Sequence, residues 1–145
     1  MINQETDINE TYLGFIQNTI SRLAKNSFQA KAWCITILSA LLIFYLQQTA
    51  ENPHTACIYI SCGVAVLFCL LDTYYLYLER GYRKLYKIAA HLDETGLVST
   101  YDMSIPKSEL TFQKYKHALF SVTTGLFYLI IIILLLILMF YTKIS

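Results

Sequence analysis

Three stretches of the chain carry no charged residue: 32–50, 55–71 and 118–142. A helix needs about 20 mostly apolar residues, with a working range of roughly 17–25, to cross hydrocarbon. Each run fits, and the third, which contains "LFYLIIIILLLILMFY", is apolar almost without interruption. The pattern predicts three spanning helices. Before the first run the period changes. Leu13, Ile16, Ile20 and Leu23 recur at steps of three and four, with Gln17, Asn18, Ser21, Arg22 and Lys25 on other faces, which is the spacing of an amphipathic helix. Asp7 and Glu10 form a capping pair just ahead of it. "KNSF" (25–28) marks a bend before the first span. This N-terminal helix either lies on the inner leaflet, with its apolar stripe buried and its basic residues on anionic head groups, or packs on the helix that continues the second span.

That continuation is predicted because nothing stops the helix after the second run. Leu71, Tyr75, Leu78, Tyr82, Leu85, Ala89 and Leu92 follow alternating steps of four and three, a heptad stripe running from lipid into water. Gly81 is tolerated, and Gly96 in "DETG" caps the end. "LVSTYDMSIP" (97–106) alternates apolar and β-branched residues and reads as a short strand or ordered loop. Ser108 and Glu109 start a last helix that runs on into the third span. The chain therefore divides into an amphipathic helix (1–31), first span (32–50), outer loop (51–54), second span (55–79), cytoplasmic helix and connector (80–117) and third span (118–142). The expected class is an all-α membrane protein with helical extensions on its second and third spans.

Composition agrees with that division. Hydrophobic residues make up 56% of the chain and charged ones 14%, where soluble domains carry about 25% charged; there is too little charge to coat a water-facing surface. Ten of the eleven Lys and Arg precede the first span or lie between the second and third. The positive-inside bias thus places the N-terminus and the 80–117 segment in the cytoplasm and the C-terminus outside. The first run is not expected to be a cleaved leader, because Glu5, Asp7 and Glu10 stand where a leader has basic residues.

The residues that bear chemistry are few. No phosphate loop, nucleophile elbow, metal motif or catalytic acid pair is present, so no enzyme and no cofactor is expected. Cys34, Cys57, Cys62 and Cys69 all lie within the predicted spans without a CxxC pair, and read as small hydrophobes rather than metal ligands. Asp72 stands out as an acid at membrane depth, which is expensive unless it faces protein or a water-filled cavity. Lys31 is its expected partner, with Arg22 or Lys25 next. The pair is either a structural clamp or part of an ion path or gate. Tyr74 and Tyr77 suit the membrane interface, and Tyr82 and Tyr86 suit helix packing. Arg80, Arg83, Lys84 and Lys87, with Lys114 and Lys116 returning to the same depth, form a cationic surface for anionic lipid or for a specific anionic ligand. Small residues spaced for helix contact recur at Ala32, Thr36 and Ala40, at Ser61 and Ala65, and at Ser121 and Gly125. Three spans are too few to enclose a path, so transport would require a homo-oligomer in the lipid bilayer.

Two stretches, taken together, resemble a known family. "IQNTISRLAKNSFQAKAWCITILSAL" (16–41) and "LLDTYYLYLERGYRKLY" (70–86), followed by "YDMSI" before the last span, are similar to small three-span bacterial membrane effectors of antiphage defence operons, the Hailong type, which stand next to a nucleotidyltransferase. The matching positions include Asp72, Glu79, Arg80, Arg83 and Tyr86. The resemblance implies an oligomeric ion-conducting effector of the bacterial inner membrane, controlled by a cytoplasmic nucleotide or short oligonucleotide. The alternative is a membrane anchor or adaptor that recruits a soluble partner and conducts nothing. A small transporter is the more distant reading, since no broken helix or inverted repeat marks the midplane.

Overall fold

The computed structural model describes residues 2–47, 55–90 and 102–144, and all its regular structure is helical. Four helices follow in order: α1 (Ile2–Leu46), α2 (Thr55–Ala89), α3 (Phe112–Leu119) and α4 (Val122–Ile144). Three of them, α1, α2 and α4, are long and apolar enough to cross a membrane.

The first departure from the pattern is that α1 is not interrupted. Its helical backbone runs unbroken through 25–28 and through the expected boundary at 31/32, so Asp7 and Glu10 lie inside a helix rather than at a cap. The physical reason is the neighbour. A buried row on α1 (Tyr12, Ile16, Ser27, Ala30, Cys34) continues in heptad-like steps across the change from mixed to apolar sequence, and α2 packs on α1 on both sides of that change. Of the two placements open to the N-terminal segment, the structure has the packed one: Tyr12 and Ile16 form a closed cluster with Leu85, flanked by Ile20, Tyr82, Tyr86, Ala89 and Met103.

The two helices are antiparallel, since Ile16 meets Leu85 while Ser27 and Lys31 meet Asp72. The heptad stripe of α2 serves this contact only over its later part. Leu85 is fully buried, whereas Leu71 is 41% exposed and faces away from the pair. Ser61 and Ala65 are buried, but Ala32, Thr36 and Ala40 are exposed. The expected cap at Gly96 and the outer loop at 51–54 lie outside the described residues.

The last helix also differs from expectation. Residues 107–110 form turns, α3 starts only at Phe112, and the chain breaks at 120–121 before α4 begins. The backbone N–H groups of Phe120 and Ser121 close α3 on Lys116 and Ala118, and Gly125 N–H then opens α4 on the Ser121 carbonyl. Val122, Thr123 and Thr124 are β-branched, which lowers helix propensity at the junction. Within 97–106, the described part (102–106) is irregular, not a strand. It lies across the α1–α2 pair as a strap: Tyr12 OH donates to the Asp102 carbonyl over 2.5 Å, and Ile105 fills the notch left by Gly81. A Cβ on Gly81 would stand 2.8 Å from Ile105 Cγ2, so this glycine is required by a close approach.

α4 returns antiparallel to α2, with Ser121 beside Arg80 and Tyr128 beside Phe68. Among the described residues its backbone packs on α2 and α3 but not on α1. Helix α2 is thus the centre of the molecule, with α1 and α4 laid against it.

Candidate functional site

Four residues on α1 place Ser27 and Lys31 one turn apart on one face, as helical geometry requires. Ala30 between them is small and buried, which lets α2 come close. Opposite stands Asp72, with no exposed surface. Lys31 Nζ lies 2.5 Å from Asp72 Oδ2; the Ser27 hydroxyl donates to Oδ1. Lys31 also donates to Ser27 Oγ at 3.2 Å, which closes a triangle of polar groups. The lysine stem runs along the seam, and its side chain keeps 19% exposure, so the ammonium is only partly withdrawn from the surroundings. Its Nζ lies 6.0 Å from the Phe127 ring centre, at the outer limit of a cation–π contact. That is how α1 reaches α4.

Around this triangle the seam stays polar. Thr73 is fully buried and returns its hydroxyl to the Cys69 carbonyl. Tyr128 of α4 is 2% exposed and donates to the Phe68 carbonyl over 3.1 Å. Thr124, one turn earlier on the same face, is fully buried too, and its Oγ1 has no hydrogen-bond partner among the described residues. The burial of Thr73, Thr124 and Tyr128 was not expected. The signal available beforehand was only the i, i+4 spacing of Thr124 and Tyr128, which is common in any helix.

A buried carboxylate of this kind is stable only while its partners stay. Removing one member of a buried pair typically costs about 3–5 kcal/mol, because the other charge is left without compensation. The triangle can therefore lock two helices in register. It can also hold two arrangements apart, provided some other event moves α1 against α2.

The cationic residues take separate positions. Arg80 reaches the α3–α4 break, where its guanidinium donates to His117 Nδ1 at 3.0 Å, to the His117 carbonyl at 3.3 Å and to Ser121 Oγ at 2.8 Å. An arginine can only donate, so Nδ1 accepts and the ring proton sits on Nε2. Arg83 pairs with Glu79 one turn back at 2.8 Å. Lys114 pairs with Glu109 at 2.5 Å, and Lys116 lies 4.9 Å over the Phe112 ring. Lys84 is half-buried and Lys87 exposed near the end of α2. Through its bonds to His117 and Ser121, Arg80 ties the α3–α4 break to α2. Beside it, Tyr115 donates to the Leu70 carbonyl at 3.3 Å and meets Tyr77 edge-on; burial pushes its phenol above the usual range, with the Cys69 thiol as a lesser cause, so the hydroxyl remains a donor. In the strap, hydrogen bonds from Ser104 hold the Asp102 carboxyl below its ordinary range.

The four cysteines are free thiols, and among the described residues no group of His, Cys, Asp and Glu is arranged to hold a metal ion. Compared with family models, curated proteins and solved structures, the chain matches none.

Proposed function

We propose that the protein is an oligomeric membrane effector in which the paired helices α1 and α2 carry a cytoplasmic signal to the Asp72 layer and so gate an ion-conducting path. The observation behind the proposal is one of continuity. The two helices run without interruption from the apolar half of the molecule, past the buried Lys31–Asp72 pair, to the Tyr12–Ile16–Leu85 cluster. At 1.5 Å per residue the 45 residues of α1 extend about 68 Å and the 35 of α2 about 52 Å. Hydrocarbon takes up only about 30 Å. The remainder is a stiff two-helix arm, and a displacement at its far end is delivered to the buried charges at its base.

In this reading the N-terminus and the arm are cytoplasmic, on the positive-inside bias, and the membrane is the bacterial inner membrane, on the family resemblance. Arg80, Arg83, Lys84, Lys87, Lys114 and Lys116 supply positive charge for an anionic signal, a nucleotide or short oligonucleotide. Such a ligand can bias the arm only by binding one packing of α1 on α2 better than another. The path itself passes between protomers and opens by wetting of an apolar constriction. The test is dye or ion flux from liposomes holding the purified protein, wild type beside Asp72→Asn, with a panel of nucleotides and short oligonucleotides on the arm side. Flux that depends on the protein and changes with one ligand supports the proposal. Tight liposomes in every condition, with folded oligomeric protein, remove it.

One observation favours a second reading. Both oxygens of Asp72 are engaged within a single protomer, as a clamp requires. An anchor or adaptor whose arm recruits a soluble partner needs no more than that. Asp72→Asn would then lower stability with no flux to lose.

A further inference from the structure

The half of the molecule away from the buried charge contains a gap. Helices α1 and α4 both lean on α2, but their backbones stay apart, and between them lies an apolar cavity of about 220 Å³. Its floor is Cys57, Ile58 and Ser61 of α2; Leu38 and Leu42 of α1 and Leu134 of α4 stand among its walls. The polar atom on the floor is already satisfied, since Ser61 donates to the Cys57 carbonyl at 2.8 Å. Ser61 lies eleven residues before Asp72, about 16 Å along the helix axis, so the gap sits within the lipid-crossing part and away from the polar layer. An unfilled space here forfeits dispersion contacts on all its walls, and hydrophobic walls do not hold water.

We infer that this groove binds one unbranched acyl chain of a membrane lipid, which serves as the missing packing between α1 and α4. Three features select that occupant. All three walls belong to helices long and apolar enough to cross a membrane, so hydrocarbon is the medium at the mouth. An apolar cavity of about 150 Å³ takes a benzene ring, so 220 Å³ scales to roughly nine carbons of chain. Most of the lining is branched aliphatic, with Leu, Ile and Cys side chains outnumbering the hydroxyls of Ser39, Tyr45 and Ser61, so hydrocarbon makes most of the contacts. The chain's presence fixes the spacing of α1 and α4, independently of whether the protein conducts.

The experiment is native mass spectrometry of the full chain, extracted into detergent from dioleoylphosphatidylcholine vesicles and washed until loosely held lipid is gone. The wild type retains one phosphatidylcholine per protomer. Leu134→Trp, which blocks the groove at its exposed rim, and Ser61→Leu, which fills it from the floor, lower that occupancy at least fivefold. Leu129→Trp, on the exposed face of α4 outside the groove, leaves it unchanged. Vesicles of branched diphytanoylphosphatidylcholine give several-fold lower retention than the straight-chain lipid. The inference is overturned if the wild type retains no lipid, or if Leu134→Trp retains as much as wild type with its helicity intact. It is equally overturned if filling the groove dissolves a dimer that carries no lipid, which would put a second copy there.

Discussion

The two helices that flank α2 are attached by different physics. Helix α1 shares a long seam with α2 that holds a closed apolar cluster at one end and a buried ion pair further along. Helix α4 is largely exposed and held at a few points: Tyr128 on the Phe68 carbonyl, Phe127 near Lys31, and the Ser121 end on Arg80. In water the exposed face of α4 would be untenable. In lipid, apolar side chains gain nothing from leaving the solvent, so association rests on packing and hydrogen bonds. The comparison teaches where the hydrophobic effect operates. It holds α1 to α2 at the Tyr12–Ile16–Leu85 end, where the sequence turns polar, and it is nearly silent for α4.

The largest test of that contrast lies in the ion pair. Asp72→Ala strands Lys31 and should cost about 3–5 kcal/mol in unfolding free energy in micelles. Lys31→Met combined with Asp72→Leu should recover most of the loss. If the single and double variants are equally unstable, the pair is not what fixes α1. Next comes the cluster: Leu85→Ala removes a fully buried side chain and should cost about 3 kcal/mol. Amide exchange should accelerate around Tyr12 and Ile16 but not in α4. Exchange that rises equally in α4 would break the distinction drawn here.

Smaller effects sharpen it. Gly81→Leu drives a side chain into Ile105, and overpacking of this kind costs about 1–3 kcal/mol. Because only the strap must move, limited proteolysis near 102–106 should increase several-fold while the helices stay intact. Thr124→Val replaces a buried hydroxyl that lacks a partner and should stabilise the protein by about 1 kcal/mol; a loss of stability would mean that the hydroxyl has an occupation after all. Tyr128→Phe, which deletes one bond within lipid, should cost only about 0.6 kcal/mol and raise the mobility of α4 in spin-label spectra. A cost as large as that of Leu85→Ala would show that α4 is held as firmly as α1.

Much of this was legible in the chain because membranes impose long, uncharged runs. The three long apolar helices were legible in the charge-free stretches, and the contact of Asp72 with Lys31 was legible because a lone acid in an apolar run has few partners at its depth. What stayed hidden depends on contacts distant in sequence. The unbroken α1 rests on support from α2 at 25–28, where local composition reads as a bend. Gly81 looked like a tolerated interruption, and its reason lies 24 residues downstream at Ile105. The break at 120–121 was obscured because β-branched residues are as common inside membrane helices as at their ends. The polar layer was invisible for a related reason: Thr and Tyr within a span can satisfy themselves locally, and only packing shows which of them turn inward together.

The ion pair also constrains how the protein is made. An acid at membrane depth raises the cost of insertion unless it is paired, and the partners of Asp72, Ser27 and Lys31, stand on the other helix. Helix α4 carries no such penalty, since residues 122–142 are uncharged. During synthesis α1 emerges first and brings Lys31 and Ser27 to the membrane before Asp72 arrives. The two helices then enter lipid most easily as a hairpin with the charges already joined, and α4 follows alone. The order of the genes' codons is thus also an order of neutralisation: each charge that must be hidden meets its counterpart before the last segment leaves the ribosome.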